Sequence, residues 1–481
     1  MNGRAFQAVR AAVAPVVRAG RAAAARTARS NRRPPWARAA LLVFALLPAG
    51  RSAAQPAVPA PAETLLLTGA RVLDPTGERW LEGRAVLIAG ERIVAIETER
   101  PGAHPGAAGI QLDGLALIPG LIDLHTHLLL HPYDEMPWDD QVLRESLELR
   151  TVRATVAART TLAAGFTTIR ELGTEGAGFA DVALRDAIAA RIVPGPRIFA
   201  ATRAIVASGC YGPSGYDPRW TVPKGAQEAD GADAVRRAVR EQIAAGADWV
   251  KVYADYRRVR GAPATATFSQ GELDALVDEA RSAGRPVAAH AATDEGMRRA
   301  VLAGVTTIEH GYGASDAVLR LMRDRGVVLC PTLAANEAVC RYAGWKPGLP
   351  EPARIRDGRD TFQRALRAGV PIACGSDAGV FAHGDNVHEI ELMGAYGMKP
   401  AAALQAATAT AARVLGRTQD LGRVAPGYIA DLIAVEGDPL YDLSALRQVR
   451  IVLQSGRMVS GDHPSKEQRH GGGSQPASGT R

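Results

Sequence analysis

The chain has 481 residues, 47% of them hydrophobic and 22% charged, which suits one large domain with an accessory or two or three smaller domains and excludes wholesale disorder. A net charge of +7 would suggest nucleic acid, but ten arginines and no acidic residue fall within positions 1–54. The remainder therefore carries −3, and it offers no basic surface to a phosphate backbone.

Residues 39–47 (AALLVFALL) form an apolar run behind Arg32, Arg33 and Arg38, followed by Pro48, Gly50, Ser52, Ala53 and Ala54. That is the layout of a secretory signal over 1–54, with cleavage expected after Ala54 and a periplasmic or secreted mature chain. The run is shorter than the roughly 20 residues needed to span a bilayer, so no stable membrane span is expected after cleavage. In so arginine-rich a leader, Arg32-Arg33 reads as a chance pair rather than a twin-arginine signal.

From residue 62 to 118 the pattern is short and β-like (LLLTGARVLD, RAVLIAGERIVAIE, GIQLDGLALIPG), and the texture returns over 420–462 (GRVAPGYIADLIAVEGD, VRIVLQSGRMV). Between them, over 119–419, apolar segments alternate with helical stretches. The segments are LIDLH, TTIRE, RIFAAT, WVKVY, PVAAH, TTIEH, VVLCPT and PIACGSD; representative helices are expected over 144–162, 232–244, 270–283 and 354–368. Eight such segments predict an α/β chain with a (β/α)8 TIM barrel, whose catalytic groups lie at the C-terminal strand ends. An open doubly wound sheet would announce a Gly-rich phosphate loop, and no G-x-G-x-x-G is present. The four cysteines show no C-x-x-C spacing; Cys330 and Cys374 lie in apolar runs and read as small buried hydrophobes. From His463 to the end (463–481) the Gly/Ser/Pro-rich composition predicts a disordered tail.

The ionisable residues fall on the segment ends. His125 and His127 end the first, Lys251 lies in the fourth, His290 ends the fifth, His310 the sixth and Asp377 the eighth. Residues i and i+2 of a strand share a face, so His125 and His127 present two imidazoles together. Imidazole and carboxylate suit Zn²⁺ or a similar borderline metal, although H-x-H alone is a weak signal. Lys251 stands out because the chain has five Lys against 52 Arg, and this one sits inside Trp249-Val250-Lys251-Val252-Tyr253. A snorkelling or ion-paired lysine is the plain alternative. A protonated ammonium would be repelled by metal cations, whereas CO2 would convert the amine to a carbamate anion able to bridge two of them. Two Zn²⁺, the carbamate, Asp377 and a hydroxide then leave one residual positive charge, which polarises a carbonyl and keeps the hydroxide deprotonated near neutral pH.

With PGLIDLHTH, GFTTIREL, GADWVKVYAD, PVAAH, GVTTIEHG, CGSDAG, HGDN and GRVAPGYIADLIAV on the page, the chain from about 65 to 459 resembles the amidohydrolase superfamily. The resemblance is to the branch with a small β-sandwich domain built from N- and C-terminal segments, and within it to exported prolidase-like Xaa-Pro dipeptidases and ochratoxin-cleaving amidases. It implies two divalent metal ions, expected to be Zn²⁺. His125, His127 and Asp377 would hold the more buried ion and His290 and His310 the outer one, with N6-carboxylysine at Lys251 bridging both. Asp377 would take the proton from the hydroxide and pass it to the leaving amine. The enzymes it resembles are often oligomeric, so a homo-oligomer is compatible.

Amide hydrolysis of a dipeptide or N-acyl amino acid is the leading expectation. A deaminase of this superfamily usually carries a Glu three residues after the fifth-strand His; here that residue is Thr293. Lactone or phosphotriester hydrolysis could use the same metals, and a non-catalytic binding protein would be marked by a missing ligand, of which there is none. Tyr253 shares a face with Lys251 and could donate to the substrate carbonyl or carboxylate. His383 occupies a loop position that the resembling dipeptidases use near substrate. Arg170 and Glu171 are expected to pair with each other, and His131 and His388 to be ordinary loop histidines. Of 24 aromatic residues, Tyr133, Trp138, Tyr211, Tyr216, Trp220, Tyr342 and Trp345 all follow segments one, three and seven, which predicts an aromatic rim favouring a bulky hydrophobic substrate group.

Overall fold

The computed structural model describes residues 64–461 except 218 and 260; the expected leader over 1–54 and tail over 463–481 lie outside the described residues. Seven parallel strands follow one another around a ring: Leu121–Thr126, Phe166–Glu171, Arg197–Ala200, Val250–Tyr253, Val287–Ala291, Thr307–His310 and Val328–Cys330. Adjacent members are hydrogen-bonded through most of the circuit. Across the gap between the third and fourth, Trp249 N donates to Ala200 O at 3.1 Å. The eighth segment, around 371–378, closes the ring through single bridges, Leu329 to Ile372 and Thr126 to Ala378. It is less regular than the PIACGSD run suggests because Pro371 has no N–H to give a ladder and Asp377 turns into a left-handed conformation (φ 65°). The result is an eight-stranded α/β barrel with its helices outside.

The strand segments are covered on both faces: every residue of Leu121–Thr126, Phe166–Glu171 and Val250–Tyr253 is buried, the polar ones included. Three helices sit within a residue of expectation, at Ala232–Ala244, Gln270–Ser282 and Ala353–Ala368. The helix expected over 144–162 is two, Trp138–Arg144 and Leu147–Ala163. Glu145 is extended (φ −91°, ψ 131°), and Ser146 accepts from Leu149 N to start the second helix, so a cap breaks what periodicity alone reads as continuous.

Beside the barrel lie two further sheets. One orders Arg92–Thr98, Arg84–Ala89, Thr64–Thr68 and Ala108–Gln111; the other joins the N-terminal strands Trp80–Leu81, Arg71–Leu73 and Leu115–Pro119 to the C-terminal Leu432–Glu436, Val449–Gln454 and Arg457–Ser460. Leu67, Val86, Ile88 and Ile93 from the first share a core with Leu117, Leu432, Ala434 and Leu453 from the second. Strand Leu115–Pro119 runs through Gly120 directly into the first barrel strand. A Cβ at Gly120 would lie 2.2 Å from Thr167 Oγ1, so the crossing tolerates only glycine. Among the described residues no helix is long and apolar enough to cross a membrane.

Candidate metal centre

At the C-terminal end of the barrel the expected ligands converge. The rings of His125 and His127 are 5.3 Å apart, those of His125 and His310 5.2 Å, and those of His290 and His310 4.4 Å. Donor atoms of His125, His310 and Asp377 lie within 4.8 Å of one another. Asp377 Oδ1 is 3.2 Å from His127 Nε2 and 3.6 Å from His125 Nε2. Intervening Thr126 turns the other way, its hydroxyl on the Arg170 carbonyl and the Glu171 carboxylate.

Partners behind the imidazoles fix which nitrogen faces the cluster. His127 Nδ1–H donates to the Gly173 carbonyl (2.8 Å), and His125 Nδ1–H donates to Glu309 Oε2 (2.9 Å). Both Nε2 lone pairs are thereby turned inward, as metal ligation requires. Glu309 is itself held by Arg170, Nη2 to Oε1 at 2.8 Å. Burial alone would raise the Glu309 carboxyl, but Arg170 and His125 outweigh it and keep it ionised. His310 Nδ1 lies 2.7 Å from the Thr332 hydroxyl, which also meets Tyr312 Oη at 2.6 Å. Burial pulls His125 down to about 4 and His290 and His310 well below the ordinary histidine value, with Lys251 adding to the first two and His290 to the third. Neutral imidazoles are the ligating form. His127 is different: burial opposes its charge, yet Asp377 and Glu175 raise it to about 9, which marks this spot as one that favours positive charge.

Lys251 is fully buried, and its Nζ has no hydrogen-bond partner. Burial depresses its affinity for a proton. An unpartnered buried amine whose charge is felt by His125, His290, His310 and Asp377 fits a group that becomes an anionic ligand, and the nitrogen-rich donor set fits a borderline divalent cation.

Above the ligands opens a cavity of about 590 Å³. Tyr253 lines it, its ring stacked on His290 at 4.4 Å and 12°. His383 is not part of that lining; its Nε2 lies 3.1 Å from the Leu130 carbonyl, and burial lowers it to about 4. The aromatic rim needs correction as well. Of the seven expected aromatics only Tyr133 and Tyr211 line this cavity, joined by Tyr253, Tyr256 and Tyr312, which lie on or just after inner strands. Trp138 stands behind, packed on Tyr211 at 4.7 Å, while Trp220 is 66% exposed. Arg170 and Glu171 do not pair, because successive strand residues face opposite ways. Glu171 instead accepts from Leu128 N at 2.8 Å. His131 sits between Glu135 and Glu145. Sequence reasoning missed Glu175, Glu309 and Thr332. The only available signals were an acid directly before a ligand histidine (Glu309-His310) and a Glu between glycines.

The Amidohydrolase family model matches residues 116–459. Ochratoxinase of Aspergillus niger is 33% identical over 244 residues, covering 48% of this chain and 50% of its own length; the chain thus spans about half of that relative. Among solved structures, a Xaa-Pro dipeptidase with methionine bound in its active site is 32% identical with a TM-score of 0.76, covering 83% of this chain and 100% of that one. The A. niger ochratoxinase structure is 27% identical with a TM-score of 0.71, covering 84% and 97%.

Proposed function

The chain belongs to the amidohydrolase family, and from that premise we propose that it hydrolyses the amide bond of a dipeptide or N-acyl amino acid carrying an apolar or aromatic group. The observation that carries this reading is Lys251, fully buried in a barrel strand with an unpartnered Nζ and near enough to His125, His290, His310 and Asp377 to act on their charge. In the proposal Lys251 is carboxylated and, with His125, His127, His290, His310 and Asp377, holds two divalent cations, zinc in the first instance. Such cations, when bound, polarise a carbonyl and lower the pKa of an attacking water.

The chain's own groups supply the rest. Burial raises the Asp377 carboxyl, but His125 and His127 overcome this and keep it ionised, ready to accept a proton and return it to the leaving nitrogen. Glu309 and the Gly173 carbonyl fix the histidine tautomers. Tyr253 offers its hydroxyl to the substrate carbonyl or carboxylate while its ring, stacked on His290, forms part of the wall. Thr293 argues against deamination: its hydroxyl is committed to Asp255 Oδ2 at 2.7 Å and accepts from Gly296 N at the start of helix Asp294–Ala303. We further read the two side sheets as a β-sandwich and the mature chain as an exported protein.

The test is a hydrolysis screen of dipeptides, including Xaa-Pro, and N-acyl amino acids, with metal analysis of the same preparation. Release of a free amine with about two equivalents of metal is expected. Ammonia without a new amine, or no turnover at full metal occupancy, overturns the reading.

A further inference from the structure

Glu175 is 2% exposed, lines the cavity, and belongs to none of the ligand positions. Its backbone is left-handed (φ 51°), a conformation costly for any residue with a Cβ. Buried Arg150 clamps that turn, donating to the carbonyls of Glu175 (2.8 Å), Thr174 (3.1 Å) and Leu129 (3.0 Å). The turn places the Glu175 side chain on the cavity wall. Its two oxygens are treated differently. Oε2 accepts from the Tyr211 hydroxyl and from Trp138 Nε1 at 2.8 Å. Oε1 has no donor within hydrogen-bond distance among the described residues; His127 Nδ1 is 3.9 Å away and is committed to the Gly173 carbonyl.

Resting on the hydrolase reading, we propose that Glu175 Oε1 is the subsite for the free α-ammonium group of a dipeptide, so that the enzyme takes unblocked dipeptides in preference to N-acyl amino acids. The α-ammonium sits one carbon from the scissile carbonyl, and Glu175 sits beside a ligand of the centre that polarises it. An ammonium approaching cationic metals is repelled unless a carboxylate offsets them, and Glu175 supplies that charge. An N-acyl substrate brings no cation, and closing the cavity over it would leave a buried carboxylate oxygen unpaired. The other charged lining residues away from the ligand cluster, Arg257, Arg354 and Asp357, are all exposed, whereas Glu175 is buried.

The experiment uses the metal-replete enzyme, the fastest dipeptide of the screen and its N-acetyl derivative. Wild type is expected to favour the free dipeptide by at least about 10-fold in kcat/KM. Glu175→Gln keeps an acceptor for Tyr211 and Trp138 and removes the charge. It is expected to cost the free dipeptide about 10-fold or more, chiefly in KM, while the N-acetyl compound changes less than about 3-fold and metal content is unchanged. If wild type turns over the N-acetyl compound as well as the free one, or the variant slows both equally, the subsite is overturned while the hydrolase reading stands. If neither compound is cleaved, the hydrolase reading itself falls. The wild-type comparison decides the matter even if the variant fails to fold.

Discussion

Two layers of the barrel interior each contain a fully buried cation-forming side chain, and they treat it in opposite ways. In the lower layer Arg170 spends its donors on the Leu124 carbonyl (2.6 Å), Thr307 Oγ1 (3.1 Å) and Glu309 Oε1 (2.8 Å), with its plane 4.3 Å over Trp249. In the upper layer, two strands round the ring, Lys251 Nζ meets no acceptor at all. A folded chain seldom leaves a buried polar group unmet unless something else is to meet it. The chain itself satisfies Arg170, and on the proposed reading Lys251 is satisfied by what binds beside it.

The sharpest way to break this contrast is Lys251→Met. Activity should fall at least about 10³-fold with loss of bound metal, because a bridging anion disappears. The metal-free variant should melt no lower than the metal-free wild type, since an orphaned amine is replaced by a matched apolar chain. Elemental analysis and melting curves check both. A metal-free variant much less stable than its parent would show Lys251 to be as structural as Arg170. The converse substitution, Arg170→Met, should destabilise the protein by about 3–5 kcal/mol, because Glu309 is left as an uncompensated buried charge. Adding Glu309→Gln should recover part of the loss, a coupling readable by denaturant unfolding. Metal affinity should also drop, because Glu309 orients His125.

A smaller effect separates the inner wall of the cavity from its outskirts. Trp138→Ala removes the support of Tyr211 and one donor to Glu175, and should lower kcat/KM for bulky substrates by about 10-fold. Exposed Trp220→Ala should change it less than about 2-fold. Kinetics on a large and a small substrate with both variants is the check. Equal losses would restore the mouth-rim picture that the sequence suggests.

What could be read without coordinates divides along the same physical line. The barrel strands are legible because fully buried strands are near-continuous apolar runs, and a His, Lys or Asp ending such a run has no ordinary reason to be there. Lys251 was conspicuous on those grounds. The partners of these residues were not legible. Arg170 meets Glu309 across the ring, 139 positions away, and no local pattern encodes that. Periodicity ran helix 144–162 through Glu145 because it sees spacing but not an extended residue followed by a serine cap. The sequence shows His383 in the loop after the eighth segment but not that its Nε2 lies beside the Leu130 carbonyl. Glu175 stayed hidden because its importance comes from a left-handed φ, a property of the fold around it.

His388 is a third setting for a cation, less buried than either of the other two, and it gives the mildest test. Its ring lies 3.5 Å from Glu337 and 3.3 Å from Glu391, and these carboxylates, against the opposition of burial, raise it to about 9. A histidine whose folded pKa exceeds its unfolded value stabilises the fold fully below about 6.5, and the contribution is lost as pH rises through the folded value. The relevant window is therefore about 6.5 to 9, on the alkaline side. With a quarter of the side chain exposed and Arg447 also paired to Glu391, solvent and the competing cation reduce the contribution to about 1 kcal/mol. Wild type should lose that amount between the two limits, and His388→Gln should not. The comparison is read as melting temperature against pH for both proteins. At low pH the two should converge in slope rather than diverge: burial raises Glu391 but His388 and Arg447 bring it to about 2, so its stabilisation, present above about 4.3, is lost only as pH falls toward 2, and Arg447 sustains much of it without the histidine. Parallel curves across the alkaline window would mean that a quarter-exposed cation is worth nothing here, leaving full burial as the setting in which this protein's charges matter.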